Sequence, residues 1–389
     1  MTDQLENDSE DLPEQIAVRM AKREKLNDLS DAYPVSLPIT HTISEVRAEF
    51  PELEIDVATG KNVALAGRVV FARNTGKLCF ATLQSGDGER IQAMVSLDKV
   101  GEESLEQYKE LVDLGDHLFV EGEVITSKRG ELSILVSSWK MAAKTIRPLP
   151  NLHNDLSEEF RVRHRYIDLI VRDRAREVVK IRSQVMQSLR KTFAEDSYLE
   201  VETPMLQSMH GGASARPFKT HMNAFDMELF LRIAPELFLK RAVVGGLERV
   251  FEINRNFRNE GADSTHSPEF AMLESYQAYG DYNTMAELTQ KLIQNAAQDV
   301  FGTQVVKIED GEENDLSGSW DRISMFESLS AAAGVEITPD TPMAELKKIA
   351  DKVEIEIDHP LHGKYVEELW EHFVKPGLDP SDLRYRLPG

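Results

Sequence analysis

The pattern of apolar and polar positions changes period several times along this chain. From Val63 onward come short β-rich runs separated by turns, VALAGRVVFA, KLCFATLQ, RIQAMVS, HLFVEGEVITS and ELSILVSSWKMAA, with helical EESLEQYKELVDL between the third and fourth. Five strands with a helix inserted there are the outline of an OB-fold, an open barrel that binds oligonucleotides by stacking and edge contacts. Helical spacing governs Pro13 to Leu29, where Ile16, Met20, Leu26 and Leu29 recur among Arg and Lys. That predicts an amphipathic helix with a solvated basic face. Helical spacing returns in the Arg- and Lys-rich stretch that starts at Phe160, where Val178, Ile181, Val185 and Leu189 predict one long helix whose stripe needs a partner. Tyr33 to Thr42 and the segment from Pro148 to Glu159 read as linkers.

Period two is clearest from Arg249 to Tyr282. Val250, Glu252, Asn254, Asn256 and Arg258 fall on one face of an extended run, and Phe251, Ile253, Arg255 and Phe257 on the other. Asn259 to Pro268, rich in Gly, Asp, Ser and Asn, predicts a loop. In Glu269 to Tyr279, Phe270, Met272, Glu274 and Tyr276 share a face, so the two strands aim Arg258 and Glu274 into one cleft. A guanidinium forks onto phosphate oxygens, and a carboxylate pair beside it suits a cationic substrate. A salt-bridged surface hairpin is the alternative meaning of the same spacing.

Composition narrows the classes. With 389 residues and 41% hydrophobic content, the chain has the makings of two domains with sizeable cores. A net charge of -22 argues against a protein that coats nucleic acid indiscriminately, so an RNA partner must be held locally. The region from Lys61 to Arg147 balances its charges and is the better candidate. Cys79 is alone, which excludes an internal disulfide and predicts a small buried side chain. No apolar stretch is long enough to span a bilayer and the start resembles no signal or transit peptide, so a cytoplasmic protein without membrane partners is expected. Residues Met1 to Asp11 read as disordered. Pro360 and Gly363 place His359 and His362, with Asp358 nearby, in an irregular loop without metal-ligand spacing.

FRNEG, then THSPEF and MLESYQAY, resembles the second signature motif of class II aminoacyl-tRNA synthetases in the form found in lysyl-tRNA synthetases. GGASARPF at Gly211 to Phe218, RIAPELFLKRAVVGG at Arg232 to Gly246 and the five-stranded barrel match that family in the same order. The resemblance implies an α+β chain: a disordered start, helix and linker over residues 1–42, an OB-fold anticodon-binding domain over 43–150, and an antiparallel catalytic sheet with flanking helices over 151–389. It implies ATP-dependent attachment of lysine to tRNA(Lys) through a lysyl-adenylate, by a cytoplasmic homodimer. On the matching positions Arg258 would clamp the α-phosphate, Glu260 would contact the adenosine end, His266 would reach the β,γ-phosphates and Phe270 would stack on adenine. Gly212, Glu236, Glu274 and Tyr276 would form the lysine pocket. Phe80 would stack on an anticodon base, Gln92 would read a base edge, and Arg73 would lie nearby. Without the resemblance, Phe80 reads as core, Gln92 as solvated and Glu236 as a helix-dipole carboxylate. An aspartate or asparagine ligase would share the architecture, but Glu236 and Glu274 suit a cation instead.

The resemblance runs from about Leu12 to Pro376. The family's Mg2+-binding carboxylates and its third signature motif are expected beyond that point, which leaves no metal ligands in this chain. The final DLRYRLPG, read in another frame, becomes PTFATDFP, closer to the family; a shifted reading frame is therefore expected there. The alternative function is a truncated, inactive synthetase that retains tRNA or nucleotide binding.

Overall fold

The computed structural model describes residues 12–29, 31–150, 156–263, 266–307, 311, 313–357, 360–378 and 386–387. The acidic start, residues 151–155 of the second linker, Asp358, His359 and most of the DLRYRLPG tail lie outside the described residues. The chain divides into two compact units, up to Val179 and from Lys180 on.

In the first unit, helix α1 (Leu12–Leu29) and α2 (Ile43–Glu49) precede a closed barrel of β1 (Ala58–Asn74), β2 (Leu78–Gln84), β3 (Arg90–Ser96), β4 (His117–Thr126) and β5 (Leu132–Ala143), in the order β1-β2-β3-β5-β4. Helices α3 (Leu97–Val100) and α4 (Glu102–Leu111) stand between β3 and β4, where the sequence predicts a helix. Alternation explains the barrel: Cys79, Ala81 and Leu83 of β2 and Ile91, Ala93 and Val95 of β3 point inward and are at most 1% exposed. Cys79 is therefore a core side chain, as expected. Thr42 and Glu45 form a reciprocal capping box that starts α2.

The basic face of α1 is not simply solvated. Arg19 donates to the carbonyls of Thr145 (3.1 Å) and Leu114 (3.0 Å), Lys22 pairs with Asp113 at 2.7 Å, and Lys25 pairs with Glu110. Acids clustered at the end of α4 and the following turn attract those cations. The first linker is likewise ordered against the barrel, with the Tyr33 hydroxyl bonded to the Lys144 carbonyl at 2.9 Å.

The predicted long helix is three: α5 (Glu158–Arg163), α6 (Arg165–Val171) and α7 (Asp173–Glu195). The chain leaves the helical conformation at His164 (φ −119°, ψ 50°) and Arg172 (φ −116°, ψ 123°), and between them the fully buried Asp168 pairs with Arg165 (2.7 Å) and Arg172 (3.0 Å). Along α7, Leu189 packs inward, while Val178 is exposed.

In the second unit, β6 (Leu199–Glu200), β7 (Leu206–Gln207), β8 (Lys219–Met222), β9 (Met227–Leu231), helix α8 (Glu236–Val244), β10 (Arg249–Phe257) and β11 (Glu269–Gln277) form two three-stranded sheets, β11-β10-β6 and β7-β9-β8. Helix α9 (Tyr282–Phe301), capped by Asp281 and ended by left-handed Gly302, packs with α7 on Phe251, whose ring stacks on Phe193 at 4.1 Å. Helices α10 (Met325–Ala333), α11 (Met343–Lys352) and α12 (His362–Phe373) enclose a separate core around Leu329, Leu346 and Leu369. His362 lies in the first turn of α12, not in an irregular loop, and its Nε2 bonds with the Thr341 carbonyl oxygen at 2.9 Å. Among the described residues no helix is long and apolar enough to cross a membrane.

Candidate functional site

Strands β10 and β11 pair antiparallel with Asn256 opposite Phe270, Glu252 opposite Glu274 and Val250 opposite Tyr276. Facing residues project to the same side, so the predicted faces coincide. The ladder continues one step beyond the strands, through a bond from the Arg258 amide to the Pro268 carbonyl at 2.9 Å. This brings the Arg258 guanidinium over the Phe270 ring, 5.1 Å from its centroid. The Nε of Arg258 is buried and makes no hydrogen bond to any described residue. A buried donor without a partner is costly, which favours an acceptor arriving from outside.

Two carboxylates stand further along this face in different surroundings. Glu252, 1% exposed, accepts from Arg232 Nη1 at 2.7 Å and from the Thr203 hydroxyl at 2.6 Å. Glu274 is half-buried and accepts from the Tyr276 hydroxyl at 3.1 Å. Burial pushes the Glu274 carboxyl above the usual range; the Tyr276 bond opposes this and the Glu236 charge adds to it. The Tyr276 phenol is raised too, by burial first and then by the neighbouring Glu274 charge.

Helix α8 brings the third carboxylate. Pro235 precedes its first turn and Gly245 and Gly246 close it. Glu236 pairs with Lys240 one turn later at 2.6 Å, and the Lys240 ammonium also lies 5.9 Å from the centre of the Tyr276 ring. Gly212 has φ +89°, and a Cβ there would come within 2.8 Å of the Glu236 Cβ. The glycine is therefore required by close approach as well as by its backbone conformation. The Lys240 ammonium thus joins Glu236 to the Tyr276 ring, with Gly212 packed behind Glu236 and Glu274 bonded to the Tyr276 hydroxyl.

Glu260 belongs to a neighbouring feature. Its carboxylate accepts from the Arg216 amide at 3.3 Å, the Asn259 amide donates to the Arg216 carbonyl at 2.8 Å, and together they line an open cavity of about 530 Å³ with Ser214, Ala215 and Gly261. His266 is exposed, and its Nδ1 lies 3.0 Å from both carboxylate oxygens of Asp263. That pairing keeps it on the loop rather than among the carboxylates.

In the first unit, Arg73 faces Phe80 across β1 and β2, and Thr82 faces Gln92 across β2 and β3. All four side chains lie on the outer surface of the barrel. Phe80 is half-buried there rather than part of the core, and Gln92 is not merely solvated, since its Oε1 accepts from the Ser133 hydroxyl at 3.1 Å.

Sequence reasoning missed Arg232, Arg216 and Lys240. Arg232 is fully buried, bonding Thr203 Oγ1 at 2.9 Å and the Arg255 carbonyl at 2.9 Å besides Glu252. Nothing local in the sequence marks those partners. Lys240 did carry a signal, its four-residue spacing from Glu236 on a helix. Among the described residues no group of three His, Cys, Asp or Glu side chains is arranged to hold a metal ion. No step below is routed through the Mg2+ expected for the resemblance.

The family model for class II tRNA synthetases (D, K and N) matches residues 157–387, and that for the OB-fold nucleic acid binding domain matches 63–142. A lysine–tRNA ligase of Kineococcus radiotolerans is 59% identical over 99% of this chain and 78% of its own length. A lysine–tRNA ligase of Mycolicibacterium gilvum is 57% identical over 94% of this chain and 74% of its own. A lysylphosphatidylglycerol biosynthesis bifunctional protein of Mycolicibacterium vanbaalenii is 44% identical over 96% of this chain and 34% of its own length.

Proposed function

The chain belongs to the class II lysine–tRNA ligases, and from that membership we propose how its residues share the work of joining lysine to tRNA(Lys) at the expense of ATP. We assign anticodon binding to residues 43–150 and catalysis to 151–389. The lysine carboxylate attacks the α-phosphorus of ATP, lysyl-adenylate forms and pyrophosphate leaves; the lysyl group then passes to the terminal ribose of the tRNA. Neither step needs a protein nucleophile, so the site acts by positioning reactants and stabilising charge.

Arg258 meets the charge that develops on the α-phosphate, with the Phe270 ring steadying its guanidinium and stacking on adenine. Glu260 contacts the adenosine end and His266 the β,γ-phosphates. Lysine brings two ammonium groups and the pocket offers two carboxylates. Glu236, against Gly212, takes the amino group next to the reacting carboxylate. Glu274, with Tyr276, is left for the cationic side chain. A neutral amino acid leaves a desolvated carboxylate unpaired and is rejected for that reason. On the barrel, Phe80 stacks on an anticodon base, Gln92 reads a base edge and Arg73 adds a contact. The protein works in the cytoplasm as a homodimer, with Mg2+ accompanying ATP.

The single observation that carries the catalytic reading is the pairing on one strand face of a buried Arg258 Nε, without a partner among the described residues, with the half-buried Glu274–Tyr276 pair. The test is lysine-dependent ATP–pyrophosphate exchange by the 389-residue chain. Arg258→Ala is expected to lower exchange by about 10²–10³, the loss typical of removing one charge-stabilising donor. Equal exchange rates in the variant and the parent chain would refute the assignment.

A further inference from the structure

Along β1 the barrel breaks its own alternation. Val69 pairs with Leu83, but the next pair is Phe71 with Thr82, so Val70 is an extra residue, a β-bulge. Strict alternation from buried Val69 would turn Phe71 inward. The bulge reverses the parity: Ala72 and Asn74 now face core residues Ala81 and Cys79, while Phe71 and Arg73 face Thr82 and Phe80 on the outer surface. Phe71 is accordingly 55% exposed near the end of β1.

An exposed phenyl ring costs hydration free energy unless something covers it. Its neighbours say what does. Phe71 and Phe80 are diagonal neighbours across the ladder, about 7–8 Å apart between Cα atoms. Arg73 lies beside them, and Gln92 continues the surface on β3. Two aromatic faces in sequence, a guanidinium for phosphate and an amide for a base edge make a track for single-stranded nucleic acid. A protein partner fits poorly, because two rings among polar groups offer no continuous apolar patch.

We infer that Phe71 is a second base-stacking residue of this barrel, holding the nucleotide adjacent to the one on Phe80. The inference rests on the reading of the barrel as the anticodon-binding module. The bulge at Val70 is the device that turns Phe71 and Arg73 together to the outer face.

The test is fluorescence anisotropy of a labelled anticodon stem-loop of tRNA(Lys), titrated with the full chain and with Phe71→Ala, Phe71→Tyr and Phe80→Ala. Phe71→Ala is expected to weaken binding about tenfold, within the range for loss of one base stack. Phe71→Tyr, which keeps the ring, should bind as the parent does. Single abasic substitutions around the loop should include one position that weakens the parent but not Phe71→Ala, next to the position with that behaviour for Phe80→Ala. Weakening by Phe80→Ala with parent-like binding by Phe71→Ala overturns the inference and leaves the barrel reading intact. Parent-like binding by both alanine variants overturns the barrel reading and the inference together. A change in sedimentation of Phe71→Ala with unchanged RNA affinity also overturns it, by making the ring a protein contact. Melting followed by circular dichroism establishes that each variant is folded.

Discussion

Glu252 and Glu274 face each other across one strand pair, yet only Glu274 remains available to a ligand. Arg232 and Thr203 hold Glu252 at 2.7 and 2.6 Å, whereas the hydrogen bond recorded for the Glu274 carboxylate comes from the Tyr276 hydroxyl. Glu274→Gln should therefore raise the KM for lysine roughly 30-fold, equivalent to about 2 kcal/mol, since the group is only half-buried. Its melting temperature should hardly move. Glu252→Gln should do the reverse, costing about 3–5 kcal/mol of stability by leaving Arg232 buried without its counter-ion. Lysine titrations and chemical denaturation of both variants separate the two roles, and equal effects in the two would sink the distinction.

The pH dependence follows from Glu274. Its ionised form receives an ammonium, and burial raises its pKa above that of an exposed glutamate. Lysine affinity should be complete above the raised pKa and fall as pH drops through it, earlier than for a solvated carboxylate. Measuring the KM for lysine between about pH 4 and 7 checks this. Glu274→Gln should flatten that limb of the profile; a limb that survives the substitution belongs to another group.

Gly212→Ala tests the close approach to α8. The new Cβ would meet the Glu236 Cβ at 2.8 Å and the Ala234 Cβ at 3.2 Å, at φ +89°. Strain of about 1–2 kcal/mol is expected from the backbone alone. The KM for lysine should rise while the KM for ATP stays near the parent value. Pyrophosphate exchange at varied lysine and varied ATP gives both constants.

Barrel stability should depend on Lys144. Its ammonium is fully buried and bonds Asp116 at 2.7 Å, Asp113 at 2.5 Å and the Leu111 carbonyl at 2.8 Å. Lys144→Met leaves the fully buried Asp116 carboxylate uncompensated and should cost about 3–5 kcal/mol. Adding Asp116→Asn should recover part of the loss. Urea denaturation measures both, and no recovery in the double variant would mean that packing rather than charge is responsible.

The face parity of β10 and β11 was legible from the sequence because alternation is a local property. Arg258, Glu274 and Tyr276 could be put on one side from spacing. The family's motifs added the roles expected of those positions. Parity also failed locally, at Val70, where the bulge that turns Phe71 outward depends on how β1 meets β2. The basic face of α1 read as solvated because Asp113 and Glu110, which hold it, lie in a distant segment.

The sequence by itself therefore determined which side chains share a strand or helix face, since that follows from the repeat of the backbone. Tertiary structure alone decided which of them remain open to a ligand. Burial and pairing depend on groups remote along the chain: Arg232 and Thr203 occupy Glu252, while the same sheet leaves Glu274 half-buried beside the Tyr276 hydroxyl.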